Sequence, residues 1–135
     1  MSYTINRSNH IRDEITLNDN DETLKISVDL VIDDILAGYG SAMKKLSQAR
    51  KDIEAAQRSE DPEVLQAAHT ALGDGVTALF TLLFGSEQTQ QLVAFYSGRY
   101  NEMLGDFLPY IQQVLLPEIN KAKDDAVKRY TAWKG

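Results

Sequence analysis

From Ile32 to Ile119 apolar side chains recur every three to four residues, and this spacing limits the fold more than any other property of the chain. A stripe of that period is the signature of a helix with one buried face. Ile32, Ile35 or Leu36, Tyr39, Ala42 or Met43, Leu46, Ala49, Ile53 and Ala56 form the first stripe. Val64, Leu65, Ala68, Leu72, Val76, Leu79, Phe80 and Leu83 form the second. A third runs through Leu92, Val93, Phe95 and Tyr96, and resumes with Tyr100, Met103, Leu104, Phe107, Leu108, Ile111, Val114, Leu115 and Ile119. No single stripe can bury itself, so the sequence predicts a small bundle of three to five helices.

The punctuation between stripes is specific. Asp61 suits an N-cap, Pro62 the first helical turn and Glu63 the positive end of the helix dipole. Gly85 is read as the left-handed residue closing the second helix, with Ser86 capping the third, and Ser97-Gly98 as a break. Gly38 and Gly40 make a bend near Tyr39 an expectation, while Gly73 and Gly75 suit close approach of a neighbouring helix. Pro109 and Pro117 each remove a backbone donor, so the last helical stretch should be kinked or divided.

The first 30 residues follow a different rule. Ile15-Thr16-Leu17 and Leu24-Lys25-Ile26-Ser27-Val28 alternate at period two around the polar run Asn18-Asp19-Asn20-Asp21, which predicts a β-hairpin. A lone hairpin is marginal in water and must lean on the helices or pair with a strand of another copy. Asp29 is read as the cap of the first long helix. The fold expected is therefore mainly α: one domain over residues 1–135, with a β-hairpin region at 1–28, a helical core at 29–119 and a C-terminal helical arm at 120–135.

Composition narrows function by exclusion. At 135 residues the chain can bury one modest core, and 43% apolar with 25% charged residues is ordinary for a globular protein. A net charge of −6 opposes nucleic acid as a partner, because such binding draws on neutralised phosphates. From Glu118 onward five bases face three acids, which reads as a solvated helix surface. No long uncharged apolar run is seen, so no membrane-spanning helix is expected, and no secretory signal is read at the N-terminus. With no cysteine there is neither a disulfide framework nor a thiolate metal site.

Catalytic and metal motifs are equally wanting. His10 and His69 lie on different elements without a second ligand at metal spacing. The acidic turn resembles a calcium loop only in part, since Thr23 stands where the loop needs glycine and Asp29 where it needs a bidentate Glu. Acid neighbours such as Asp33-Asp34 and Asp124-Asp125 point in different helical directions. The expectation is a protein with no catalytic residue, no metal and no cofactor.

The aromatic residues of the C-terminal half remain. Phe84, Phe95, Tyr96, Tyr100, Phe107, Tyr110, Tyr130 and Trp133 fall at helical intervals, and most should be core. Aromatic and methionine side chains are also enriched where one protein docks on another. Phe95, Tyr96, Tyr100, Met103, Phe107 and Tyr110 are accordingly the residues expected at a partner or oligomer interface.

The same stretch resembles a family. Leu83-Phe84-Gly85, Phe95-Tyr96-Ser97-Gly98, Tyr100-Asn101-Glu102-Met103-Leu104, Phe107-Leu108-Pro109-Tyr110-Ile111 and Leu116-Pro117-Glu118-Ile119 look like the tail assembly chaperones of long-tailed bacteriophages and prophages. The likeness is best from Leu72 to Ile119 and extends loosely to the hairpin and first long helix. It implies a self-associating, mostly helical protein that coats the tape-measure protein, helps recruit tail-tube subunits in the host cytoplasm and leaves before the virion is finished. Many such genes also yield a longer product by translational frameshifting, so a minor form extending beyond Trp133-Lys134-Gly135 is a further expectation. The alternative reading is a generic helical protein–protein adaptor, or another virion morphogenesis factor, without enzymatic activity.

Overall fold

A computed structural model of the chain describes residues 2–5 and 10–134, apart from the side chains of residues 126 and 129–134. Two antiparallel strands, β1 (His10–Asp19) and β2 (Glu22–Val31), precede helices α1 (Ile32–Ser59), α2 (Pro62–Phe84), α3 (Ser86–Phe95) and α4 (Tyr100–Tyr110). A π-helical turn at Ile111–Leu115 joins α4 to α5 (Leu116–Lys134). The mainly helical fold with an N-terminal hairpin is as the sequence implies.

Each strand is longer than its alternating core suggests. His10 pairs with Val31 and Asp19 with Glu22, leaving Asn20-Asp21 as the loop, where Asn20 adopts a φ of 52°. Asparagine tolerates that left-handed conformation better than most residues. Ile26, Val28 and Leu30 are buried on the inner face of β2. Burial of Leu30 continues the period-two alternation past Asp29, so the strand runs on to Val31 and Asp29 does not cap α1. Val31 precedes that helix without a side-chain capping bond. Asp29 instead lies across the hairpin from Arg12, 3.6 Å away, with His10 at 3.4 Å. These exposed ion pairs contribute little to stability.

The connection of α1 to α2 is as short as the sequence implies. Glu60 takes a φ of 58° and the Asp61 carboxylate accepts from the Glu63 amide at 3.0 Å, with Pro62 following. A two-residue link forces the helices to run antiparallel. Glycine contacts confirm the register: a Cβ on Gly38 would lie 3.3 Å from Leu82, and one on Gly75 would lie 3.6 Å from Leu46. α1 is continuous through Gly38 and Gly40, and at Gly38 the missing side chain lets Leu82 of α2 pack close.

α2 is the central helix. By length and composition alone it would suffice to cross a membrane, yet the helix carries Glu63 and Asp74 and half of that apolar window is buried inside the fold. Val76, Leu79 and Phe80 are fully enclosed, and the Phe80 ring packs edge-on against Phe84 at 5.6 Å and Phe107 at 5.1 Å. Such edge-to-face pairs add about 0.5–1.5 kcal/mol to the area they bury.

The corner after α2 differs in detail from expectation. Gly85 adopts φ 85° and ψ 161°, a region open only to glycine but not the left-handed helical one, and it serves as N-cap of α3. Ser86 is already the first helical residue and makes no side-chain cap; Thr89 donates to the Gly85 carbonyl at 2.7 Å instead. At the next corner Ser97 and Gly98 both take positive φ, and the break falls where the sequence places it.

Beyond Tyr100 the helical stretch changes form between its two prolines, with no loop intervening. The Leu116 amide reaches back five residues to the Ile111 carbonyl, widening one turn between Pro109 and Pro117. A π turn of this kind relieves the crowding that proline imposes on the preceding turn. Leu115 at its end and Ile119 past it are buried and Ala122 packs on the core, whereas Val127 is 64% exposed. The expected arm thus begins on the body of the fold. Tyr130 and Trp133 lie outside the described side chains.

Candidate functional site

A concavity opens between the hairpin and the α3–α4 corner. This cleft of about 480 Å³ is lined on one side by Ile15, Thr16, Leu17, Asn18 and Asp19. The other wall consists of Phe95, Tyr96, Ser97, Arg99, Glu102, Asp106, Phe107 and Tyr110. Because successive side chains of a strand point to opposite faces, a lining of five consecutive residues fits a cleft that meets the edge of the strand. On the helical wall Glu102, Asp106 and Tyr110 are spaced by four and so share one face of α4.

Two tyrosine–carboxylate hydrogen bonds shape the cleft. The Tyr96 hydroxyl donates to Asp106 Oδ2 at 2.9 Å, tying the α3–α4 corner to the body of α4. Tyr110 donates to Asp13 Oδ2 at 3.2 Å, tying α4 to β1. Burial raises the Tyr96 phenol well above its ordinary value, and the bond to Asp106 and its charge add to this. Tyr110 is pushed up to about 12, first by burial and then by the charge of Asp13 and the bond to it. Both phenols therefore remain neutral donors across the physiological range.

The two edges of the hairpin are treated differently. On β2 the Gln88 side chain accepts from the Ser27 amide at 2.7 Å and donates to the Ser27 carbonyl at 2.8 Å, so one amide occupies the outer edge as a neighbouring strand would. The Ser27 backbone therefore faces away from β1. By the alternation of an antiparallel ladder, the partner Glu14, together with Thr16 and Asn18, faces away from β2. The Glu14 amide is taken by the Asp13 carboxylate at 2.8 Å. Beyond it, among the described residues, the outward backbone of Thr16 and Asn18 has no hydrogen-bond partner, and it borders the cleft.

The six aromatic and methionine positions singled out in the sequence do not form one surface. Phe95, Tyr96 and Tyr110 line the cleft, with Phe95 and Tyr110 half-buried. Phe107 touches its floor but is only 3% exposed, and Met103 is fully enclosed. Tyr100 lies elsewhere, its ring 2.8 Å from where a Cβ on Gly73 would stand. The strand wall was not among the expected site residues. Its signal was the alternation of a two-stranded hairpin, which must leave edges unpaired.

Chemically the cleft offers aromatic surface, unpaired backbone and negative charge. Asp19, Glu102 and Asp106 face one base, Arg99, which itself lies 3.6 Å from Glu102. Among the described residues no group of three or more acids and histidines is arranged to hold a metal ion. Comparison with known proteins finds no matching family model, no matching curated protein and no matching solved structure, so the site must be read from its own geometry.

Proposed function

We propose that this chain is a binding protein without catalytic activity of its own, acting as an assembly chaperone for a long phage tail. The observation that carries the binding reading is the aromatic cleft beside an unpartnered strand edge, a surface suited to holding part of another polypeptide. The resemblance in the segment from Leu72 to Ile119 directs the choice of partner to the tape-measure protein, with tail-tube subunits recruited to the coated complex. A tape measure is a long helical chain with apolar surface, and reversible cover by a small acidic protein would keep it soluble. In this reading the chain works in the bacterial host, associates with further copies of itself along the tape measure and is absent from the finished tail.

Co-expression with the tape-measure protein of the same genome tests the proposal. The expected result is a soluble complex that co-purifies in a ratio of several copies to one, whereas the tape measure alone precipitates. A tape measure equally insoluble with and without this chain would overturn the phage reading and leave a helical adaptor with some other partner.

A further inference from the structure

The open length of β1 runs from Thr16 to Asn18. It is closed on one side by the Asp13–Glu14 contact and the Tyr110 hydroxyl, and on the other by the hairpin loop. Residues 15–19 extend over ~17 Å, the span of a short strand. Across the gap stands the face of α4 that carries Glu102 and Asp106, and Phe95, Tyr96 and Tyr110 line the same cleft.

From this geometry we infer that the cleft takes an extended, lysine- or arginine-bearing segment of a partner protein as a third strand beside β1. The incoming backbone would pair with Thr16 and Asn18. Its inward side chains, at every second position, would lay their aliphatic stems over Phe95 and Tyr96 and bring their charges to Glu102 and Asp106. Charge selects the occupant. Three carboxylates against one guanidinium repel an acidic strand, and the hairpin of a second copy of this acidic chain would set carboxylate against carboxylate. The basic stretch of this chain after Glu118 is helical where described, so it does not supply the strand. The inference rests on reading the cleft as a protein-binding surface, but not on which partner is bound.

The probe is a blocked peptide of about seven alternating arginine and valine residues, added to the isotope-labelled full chain and followed by NMR. Saturable shifts at the Thr16 and Asn18 amides are expected, with affinity falling at least about tenfold when the peptide is N-methylated on alternate backbone amides. E102Q/D106N should weaken binding by a similar factor and reduce its salt dependence. Thr16→Pro removes an edge donor that faces away from β2 and should abolish the shifts while circular dichroism stays unchanged. Equal binding of the N-methylated peptide, shifts that avoid β1, or no binding at ~1 mM peptide would each overturn the inference. Peptide binding without capture of the tape measure would uphold the cleft and sink the phage reading; capture without peptide binding would do the reverse.

Discussion

Among the described residues three phenols are held above their ordinary ionisation range. Tyr39 of α1 is raised by burial, Tyr96 by burial and Asp106, and Tyr110 to about 12 by burial and Asp13. Raised folded-state values mean that the fold favours the neutral phenol. Their contribution is complete below the unfolded value of 10 and is lost as pH rises through the folded ones. Stability should therefore hold up to about pH 10 and fall from there through 12. Spectrophotometric titration should show a late-ionising fraction that shrinks in Tyr96→Phe and Tyr110→Phe. An alkaline unfolding curve identical in both variants and in the parent chain would contradict this assignment. The two partner carboxylates lie far away in sequence terms, ten residues from Tyr96 and ninety-seven from Tyr110. Helical spacing reaches neither, since the Ser97-Gly98 corner separates Tyr96 from α4 and Asp13 lies on β1.

At the scale of elements, glycine separates what propensity dictates from what packing demands. Gly40 lies inside α1 with nothing within 4 Å of a would-be Cβ, whereas the same atom on Gly73 would stand 2.8 Å from the Tyr100 ring. Gly40→Ala should raise stability by about 0.5–1 kcal/mol, the helix-propensity gain alone. Gly73→Ala gains the same amount but must displace Tyr100, and is expected to come out destabilising by about 1 kcal/mol or more. Urea unfolding of the two variants should therefore move the midpoint in opposite directions. The hairpin shows the same division. Alternation in the sequence reveals two strands, while the capture of the Ser27 backbone by Gln88, sixty-one residues away, fixes which edge is closed and which is open.

For the whole molecule the question is which aromatic residues hold the core and which are left for a partner. Phe107 forms a triangle of rings with Phe80 and Phe84 and is almost enclosed, while Phe95 is half-buried on the cleft wall. Phe107→Asp places an unpaired carboxylate among those rings and should unfold the chain, at a cost of about 4 kcal/mol or more. Phe95→Asp should keep the helical circular dichroism signal and lose binding in the cleft. Loss of helix in both variants would show that the cleft wall is part of the core after all.

Much of this architecture is legible from the chain alone because it is local. Period two against period three to four separates hairpin from helices, Asp61-Pro62 starts α2, and Gly85 and Gly98 mark corners, since each depends on residues within a turn or two. Asp29 was misplaced because burial of Leu30, a tertiary contact, outweighs capping. The prolines mark where the last helical stretch changes form, but that the change is a π turn joining α4 to α5 is not legible in them. Sorting Met103 and Phe107 into the core, and Phe95, Tyr96 and Tyr110 onto a cleft, required knowing that β1 lies opposite α4. Helical spacing gives the direction in which a side chain points along its own axis, but what it meets there is set by elements far away in sequence.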